Sequence, residues 1–394
     1  MRKKLSLGMV AVWLVSSMAI FFLQETETSK AIPAFARKYR MSCTTCHAPY
    51  PKLKAYGDDF AGNGFVLEDE EAPRYFVETG DEKLDLIREF PIAVRMEGFL
   101  KYQSETNKDV DFSTPYNIKL LSGGSLTDHF AYYFYFYFYE RGEVAGVEDA
   151  YVMFNNLFNS ELDIYFGQFQ ISDPLFKREL RLTYEDYPVY TFMVGESDIR
   201  LAYDRGFMIT YGFETGTDLI AEVVNGNGLE EADEDRVFDN DKYKVFAGRI
   251  SQDIGEYFRI GAFGLWGKEG MGETNEAYYF GPDASFAYGP VELNLQYLER
   301  RDSNPFFAVD EPDDNIESRG ALIEGIYLPD GEFSEWYAVG MFNWIESDFR
   351  DLNYRTLSGH VGHVFRSNIR FFVEYTYDIE HEENRAVVGF VTAF

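Results

Sequence analysis

The chain has 394 residues, a formal net charge of −31, 46% hydrophobic residues and only two cysteines. A mean hydropathy of −0.30 with one long apolar run excludes a bundle of membrane helices, and a sequence pI near 4.5 argues against nucleic acid as a partner, because like charge repels phosphate. The 37 Phe and 29 Tyr exclude a disordered chain, and the two cysteines sit too close in sequence to staple a fold with disulfides.

Residues 1–31 have the layout of a secretory signal peptide. Arg2, Lys3 and Lys4 form the basic start, Leu5 to Leu23 the apolar run, and Ser29-Lys30-Ala31 the small-residue cleavage site. The expected mature chain starts at Ile32. A retained anchor helix is the competing reading, since the run is long enough to span a bilayer.

Cys43-Thr44-Thr45-Cys46-His47 has the C-x-x-C-H spacing of covalent haem c attachment. Two thiols on one turn reach the two vinyl groups, and the following imidazole meets the iron as proximal ligand. One covalent haem c is therefore expected, held by Cys43, Cys46 and His47. A structural zinc site needs four N or S ligands, and no further Cys or His lies near in sequence. A thioredoxin-like pair needs a βαβ context that is lacking here.

From about Arg88 the pattern changes to period two, the mark of strands with one apolar and one polar face. Phe90, Ile92, Val94, Met96 and Leu100 alternate with Glu89, Arg95, Glu97 and Lys101. Between Phe130 and Tyr139 the phenylalanines fall on one face and the tyrosines on the other. The spacing predicts sixteen strands, near 89–103, 112–121, 129–140, 147–155, 161–170, 206–213, 218–225, 243–251, 256–266, 277–287, 290–299, 318–328, 334–345, 356–365, 368–378 and 385–394. Fourteen is the alternative count.

The connections follow a rule of their own. Even strands are followed by short turns such as Ser122-Gly123-Gly124, Gly289 and Arg366-Ser367, whereas the long loops 171–205, 226–242 and 300–317 follow odd ones. Outer-membrane barrels are built this way, with the short turns periplasmic. The terminal Phe394, sharing a face with Phe390 and Val388, fits the same reading. The expected fold is mainly β, a transmembrane antiparallel barrel of about sixteen strands preceded by a small helical haem segment, in the bacterial outer membrane and in contact with its lipid. The expected domains are a signal peptide at 1–31, a haem segment at 32–87 and the barrel at 88–394. A soluble β-sandwich or propeller would show the same alternation.

The residues flanking the haem motif, Pro33, Phe35 and Arg37 before it and Leu53, Gly57, Phe60, Gly64 and Phe65 after it, resemble the fused cytochrome-porins of iron-oxidising bacteria. Tyr39-Arg40 departs from the Thr-Gly that this family carries there. The resemblance implies a single haem ahead of a barrel, with electrons taken from an extracellular donor such as Fe²⁺ and passed to a periplasmic c-type cytochrome or another redox carrier. It covers the N-terminal segment in detail and the barrel only in size and order.

The distal iron ligand is open. Period-two bookkeeping turns His129 and His360 inward and makes them the candidates, while Met96 and His363 fall on lipid faces; a solvated lumen residue is the plainer account of both inward histidines. Loop 226–242, with Glu230, Glu231, Asp233, Glu234, Asp235, Asp239 and Asp241, and loop 300–317 offer carboxylates suited to Fe²⁺ or Ca²⁺, or simply solvated acidic loops. Lys177, Arg178 and Arg181 in loop 171–205 are candidates to fold inward and meet haem propionates, against a porin constriction loop of mixed charge. No Ser-His-Asp order, phosphate loop or zinc-hydrolase pattern occurs, so catalytic residues are not expected. A diffusion porin with an accessory haem segment is the alternative function.

Overall fold

The structure is a computed structural model that describes residues 34–39, 41–66, 80, 90–104, 110–127, 129–309 and 315–394. The expected signal peptide and the stretch containing the segment-to-barrel boundary, 81–89, lie outside these residues, as do 310–314 of the acidic loop.

Sixteen antiparallel strands close into a barrel, each paired with its chain neighbours and β1 with β16. They are β1 (Ile92–Gln103), β2 (Val110–Thr127), β3 (Phe130–Glu140), β4 (Gly146–Leu157), β5 (Leu162–Gln170), β6 (Tyr203–Gly212), β7 (Thr217–Val224), β8 (Val245–Ile254), β9 (Phe258–Glu269), β10 (Asn275–Tyr288), β11 (Val291–Asp302), β12 (Ile316–Tyr327), β13 (Trp336–Ser347), β14 (Tyr354–Arg366), β15 (Ile369–Asp378) and β16 (Glu383–Ala393). Every expected strand is present; the connections of two or three residues all follow even strands, and the longest, 171–202, 225–244 and 303–315, follow odd ones. At the seam Val94 and Phe394 exchange both backbone hydrogen bonds, at 2.7 and 2.9 Å.

The pleat sorts the side chains as the alternation requires. On β15, Arg370, Phe372, Glu374 and Thr376 point inward and are buried, while Val373, Tyr375 and Tyr377 face out. Tyr135 and Tyr137 are buried inside, and Phe138 is exposed outside. Ser122-Gly123-Gly124 is a correction: it lies within β2, paired with Phe134, Tyr133 and Tyr132 of β3, and β2 runs on to Thr127. Its glycine marks a close approach instead. A Cβ on Gly123 would stand 3.0 Å from the Tyr133 ring and 3.2 Å from that of Phe65.

The long connection 171–202 turns into the barrel and builds a core there. Tyr187, Val189, Tyr190, Ile199 and Leu201 pack against Val245, Phe263, Leu265, Leu298, Leu322 and Met341 of the inner wall. Both faces of β9 are therefore apolar over Ala262–Trp266, the outer for lipid and the inner for this loop. A Cβ on Gly320 would lie 2.7 Å from Val189 Cγ2, so the loop sits where β12 has no side chain.

Among its described residues the N-terminal segment has two short helices, α1 (Ala34–Tyr39) and α2 (Ala55–Gly62), and it belongs to one unit with the barrel, Pro33–Phe394. It seats at the end with the short connections. Phe35, Phe60 and Phe65 form an aromatic cluster, with Phe65 stacked on Tyr133 of β3 at 5.8 Å. Lys52 pairs with Glu292 at 2.8 Å, and Asn156 Nδ2 donates to Asn63 Oδ1 at 2.6 Å. Tyr39, at the departure from the family pattern, donates its hydroxyl to the Phe65 carbonyl and meets Phe60 edge-on at 5.6 Å.

Candidate functional site

The motif forms a single 3₁₀ turn over Cys43–Thr45, with Ser42 as its N-cap. The N–H groups of Cys46 and His47 both return to the Cys43 carbonyl, at 3.2 and 3.0 Å, so both thiols and the imidazole leave one tight turn. Helix α2 holds that turn from behind. Lys54 donates its N–H to the Cys46 carbonyl at 2.9 Å, and a Cβ on Gly57 would lie 2.4 Å from the same oxygen. Only glycine admits this approach.

His47 Nδ1 lies 3.0 Å from the Pro51 carbonyl oxygen. A carbonyl only accepts, so Nδ1 carries the hydrogen and Nε2 keeps its lone pair, the tautomer a metal ligand needs. Burial pushes the imidazole down to about 4, which keeps it neutral at physiological pH. Burial also raises both thiols, with Lys54 partly opposing this at Cys46. The cysteines are not bonded to each other.

The turn faces a chamber with about 1530 Å³ of empty space, its mouth included. Met41, Cys43, Cys46, His47 and Phe60 bound one side, Leu121, Tyr133, Tyr135 and Tyr151 the barrel side, and Lys177, Glu179 and Leu180 of the inward loop the far end. The residues present fit a haem: two free thiols, a neutral imidazole with an available nitrogen, an aromatic wall and a charged end. At that end Arg95 Nε is buried without a hydrogen-bond partner among the described residues.

The other candidates fall elsewhere. His360 is inward and buried, but its Nδ1 meets Glu374 Oε2 at 2.9 Å and its Nε2 the Tyr337 hydroxyl at 3.3 Å. His129 lies in the turn before β3, exposed, with Nδ1 3.1 Å from the Asn155 carbonyl. Neither lines the chamber. Met96 and His363 are on the outer face, His363 stacked on Trp336 at 4.2 Å. Of the loop cations, Lys177 reaches the chamber and lies 3.4 Å from Asp58 of α2. Arg178 and Arg181 instead turn to Asp186, on the other side of the loop. Carboxylates of the acidic loop bind backbone groups: Asp233 accepts the Val237 N–H at 2.9 Å within the loop, and Asp241 the Gly270 N–H of the β9–β10 connection at 2.7 Å. Among the described residues no group of three or more His, Cys, Asp or Glu side chains is arranged to hold a metal ion.

Sequence reasoning missed Arg95, Lys119 and Glu179. Lys119 pairs with Glu179, and Tyr135 donates to Glu179 Oε2 at 2.6 Å. Their inward positions on β1 and β2 were readable from the alternation; their meeting with a loop residue was not.

A closed antiparallel barrel with an apolar outer band defines the class: a porin-type outer-membrane barrel. Solved structures agree on the fold. The chain is similar to OmpT, an outer membrane protein of Vibrio cholerae in its trimer form, with TM-score 0.56 at 12% identity over 78% of this chain and 99% of that one. It is equally similar to the anion-selective porin from Comamonas acidovorans, with TM-score 0.56 at 9% identity over the same shares. The outer membrane channel DcaP of Acinetobacter baumannii gives TM-score 0.51 at 15% identity over 78% of this chain and 97% of that one. No family model and no curated protein matches the sequence.

Proposed function

We propose that this protein is an outer-membrane cytochrome-porin that carries one covalent haem c and moves electrons between an extracellular donor, ferrous iron, and a periplasmic carrier. The observation that carries this is the His47 ring, fixed through Nδ1 to the Pro51 carbonyl and facing a chamber closed by the barrel wall and the inward loop. Cys43 and Cys46 would hold the haem as thioethers, each S–H added across one vinyl double bond with nothing released. When bound, the haem supplies one-electron exchange between ferrous and ferric iron. His47 would hold the iron through Nε2, while α2 braces the turn and Phe60, Phe65 and Tyr133 keep water from one side of the chamber.

The test is stopped-flow reduction of the purified, oxidised protein by Fe²⁺ at circumneutral pH. Rapid appearance of the reduced haem spectrum supports the proposal. A coloured protein that Fe²⁺ leaves oxidised defeats the choice of donor, and a colourless one defeats the whole.

The likeness to porins favours a second reading, a diffusion porin whose haem segment is accessory. It requires open-channel conductance in planar bilayers. The core that Tyr190, Ile199 and Leu201 make inside the barrel supports a narrowed bore instead.

A further inference from the structure

We propose that Arg95 is the residue that receives a haem propionate, through its otherwise unpartnered Nε–H. The inference rests on the haem attachment proposed above and names the group that fixes the far edge of the ring.

Arg95 projects inward from β1 and is 8% exposed. Two sides of its guanidinium are engaged: Nη1 donates to the Glu179 carbonyl at 2.8 Å, and Nη2 is ion-paired with Glu97, whose other oxygen accepts from Asn117 at 2.8 Å. The third donor, Nε–H, has no partner among the described residues, although its atom is out of contact with solvent. An unmade hydrogen bond of a buried charged group is costly, and native structures leave few of them without a reason. The chamber supplies one, since Arg95 lines it together with Cys43, Cys46 and His47. Tyr50 bridges the two ends, with the Arg95 guanidinium 5.9 Å from the centre of its ring and the His47 ring 5.1 Å away on an edge contact.

The chemistry selects a carboxylate. A planar guanidinium with one free edge suits a single carboxylate oxygen. Asp149, Asp173 and Glu179 also line the chamber, and the cations Lys119 and Lys177 are paired with Glu179 and Asp58. A permanent dianion is disfavoured among them, whereas one carboxyl able to take up a proton is not.

The test uses the full-length haem-loaded protein and resonance Raman spectroscopy of the propionate bending bands. In R95Q/E97Q, which removes the buried ion pair as a unit, and in R95K, which keeps the charge but loses the Nε–H, the bands are expected to shift. E97Q, which retains Arg95, is the control and keeps them in place. The midpoint potential against pH gives a second readout: without Arg95 the propionate titrates at higher pH, so the inflection moves upward in R95Q/E97Q. Bands and inflection identical in wild type, R95K and R95Q/E97Q would overturn the inference while leaving haem attachment intact. A wild-type protein without covalent haem overturns both.

Discussion

The carboxylate of Glu374 on β15 accepts the backbone N–H of Tyr184 at 2.7 Å, tying the inward loop to the barrel wall across 190 residues of sequence. The same carboxylate accepts from the Glu185 N–H at 2.8 Å and meets His360 Nδ1 at 2.9 Å. Replacement by alanine strands two backbone donors and an imidazole in the interior. E374A is expected to cost about 3 kcal/mol or more, read as earlier heat-induced loss of the compact band in gel migration, and E374Q less, because one acceptor oxygen remains.

The N-terminal segment is held by apolar contact more than by charge. Phe60 is 6% exposed among Phe35, Phe65 and Ala131, so F60A is expected to cost about 3–5 kcal/mol. The Lys52–Glu292 pair is partly exposed, and K52A should fall within about 1 kcal/mol. Limited proteolysis in detergent separates the two: F60A exposes residues 34–66 to cleavage and K52A does not.

Covalent attachment is checked by haem staining of denatured protein. C43A/C46A is expected to lose the stain entirely, and each single variant to retain it weakly. H47A keeps both thiols and should stay stained while its absorption bands change, since the imidazole is not part of the thioether bonds.

The interior has little room for added volume. Gly320 on β12 faces Val189, which is 1% exposed. G320A forces the loop or the strand to shift, at an expected cost of about 1–3 kcal/mol in unfolding measurements.

Asp173 gives the inward loop a pH dependence of known sign. Burial pushes its carboxyl up to about 6, with Lys177 drawing it down and Glu179 adding to the rise. The folded chain thus holds this proton more tightly than the unfolded chain. Its contribution to stability is present in full below the ordinary aspartate value of about 4 and is lost as pH rises toward about 6. D173N is expected to flatten the stability profile across that window, as measured by thermal unfolding in detergent.

Sequence periodicity carried the wall of this protein because a barrel strand meets lipid on one side and a polar interior on the other. Val291, Leu293 and Leu295 against Glu292, Asn294 and Gln296 announce β11 without any knowledge of its partners. The tight turn from Cys43 to His47 was equally legible as a spacing, since it occupies five consecutive residues. What fills the barrel was not. Tyr190, Ile199 and Leu201 are ordinary loop residues until they meet Phe263 and Leu265, and Gly123 suggests a turn until Phe65 lies against it. The pairing of Arg95 with Glu179 joins residues 84 apart, which no local pattern encodes.

The seam between β1 and β16 lies in the wall of the chamber. Ala93, Val94 and Arg95 belong to the first strand, Ala393 to the last, and all four border the chamber. Until β16 pairs with β1, this side of the chamber is open. Closing the cylinder and completing the chamber are therefore one event.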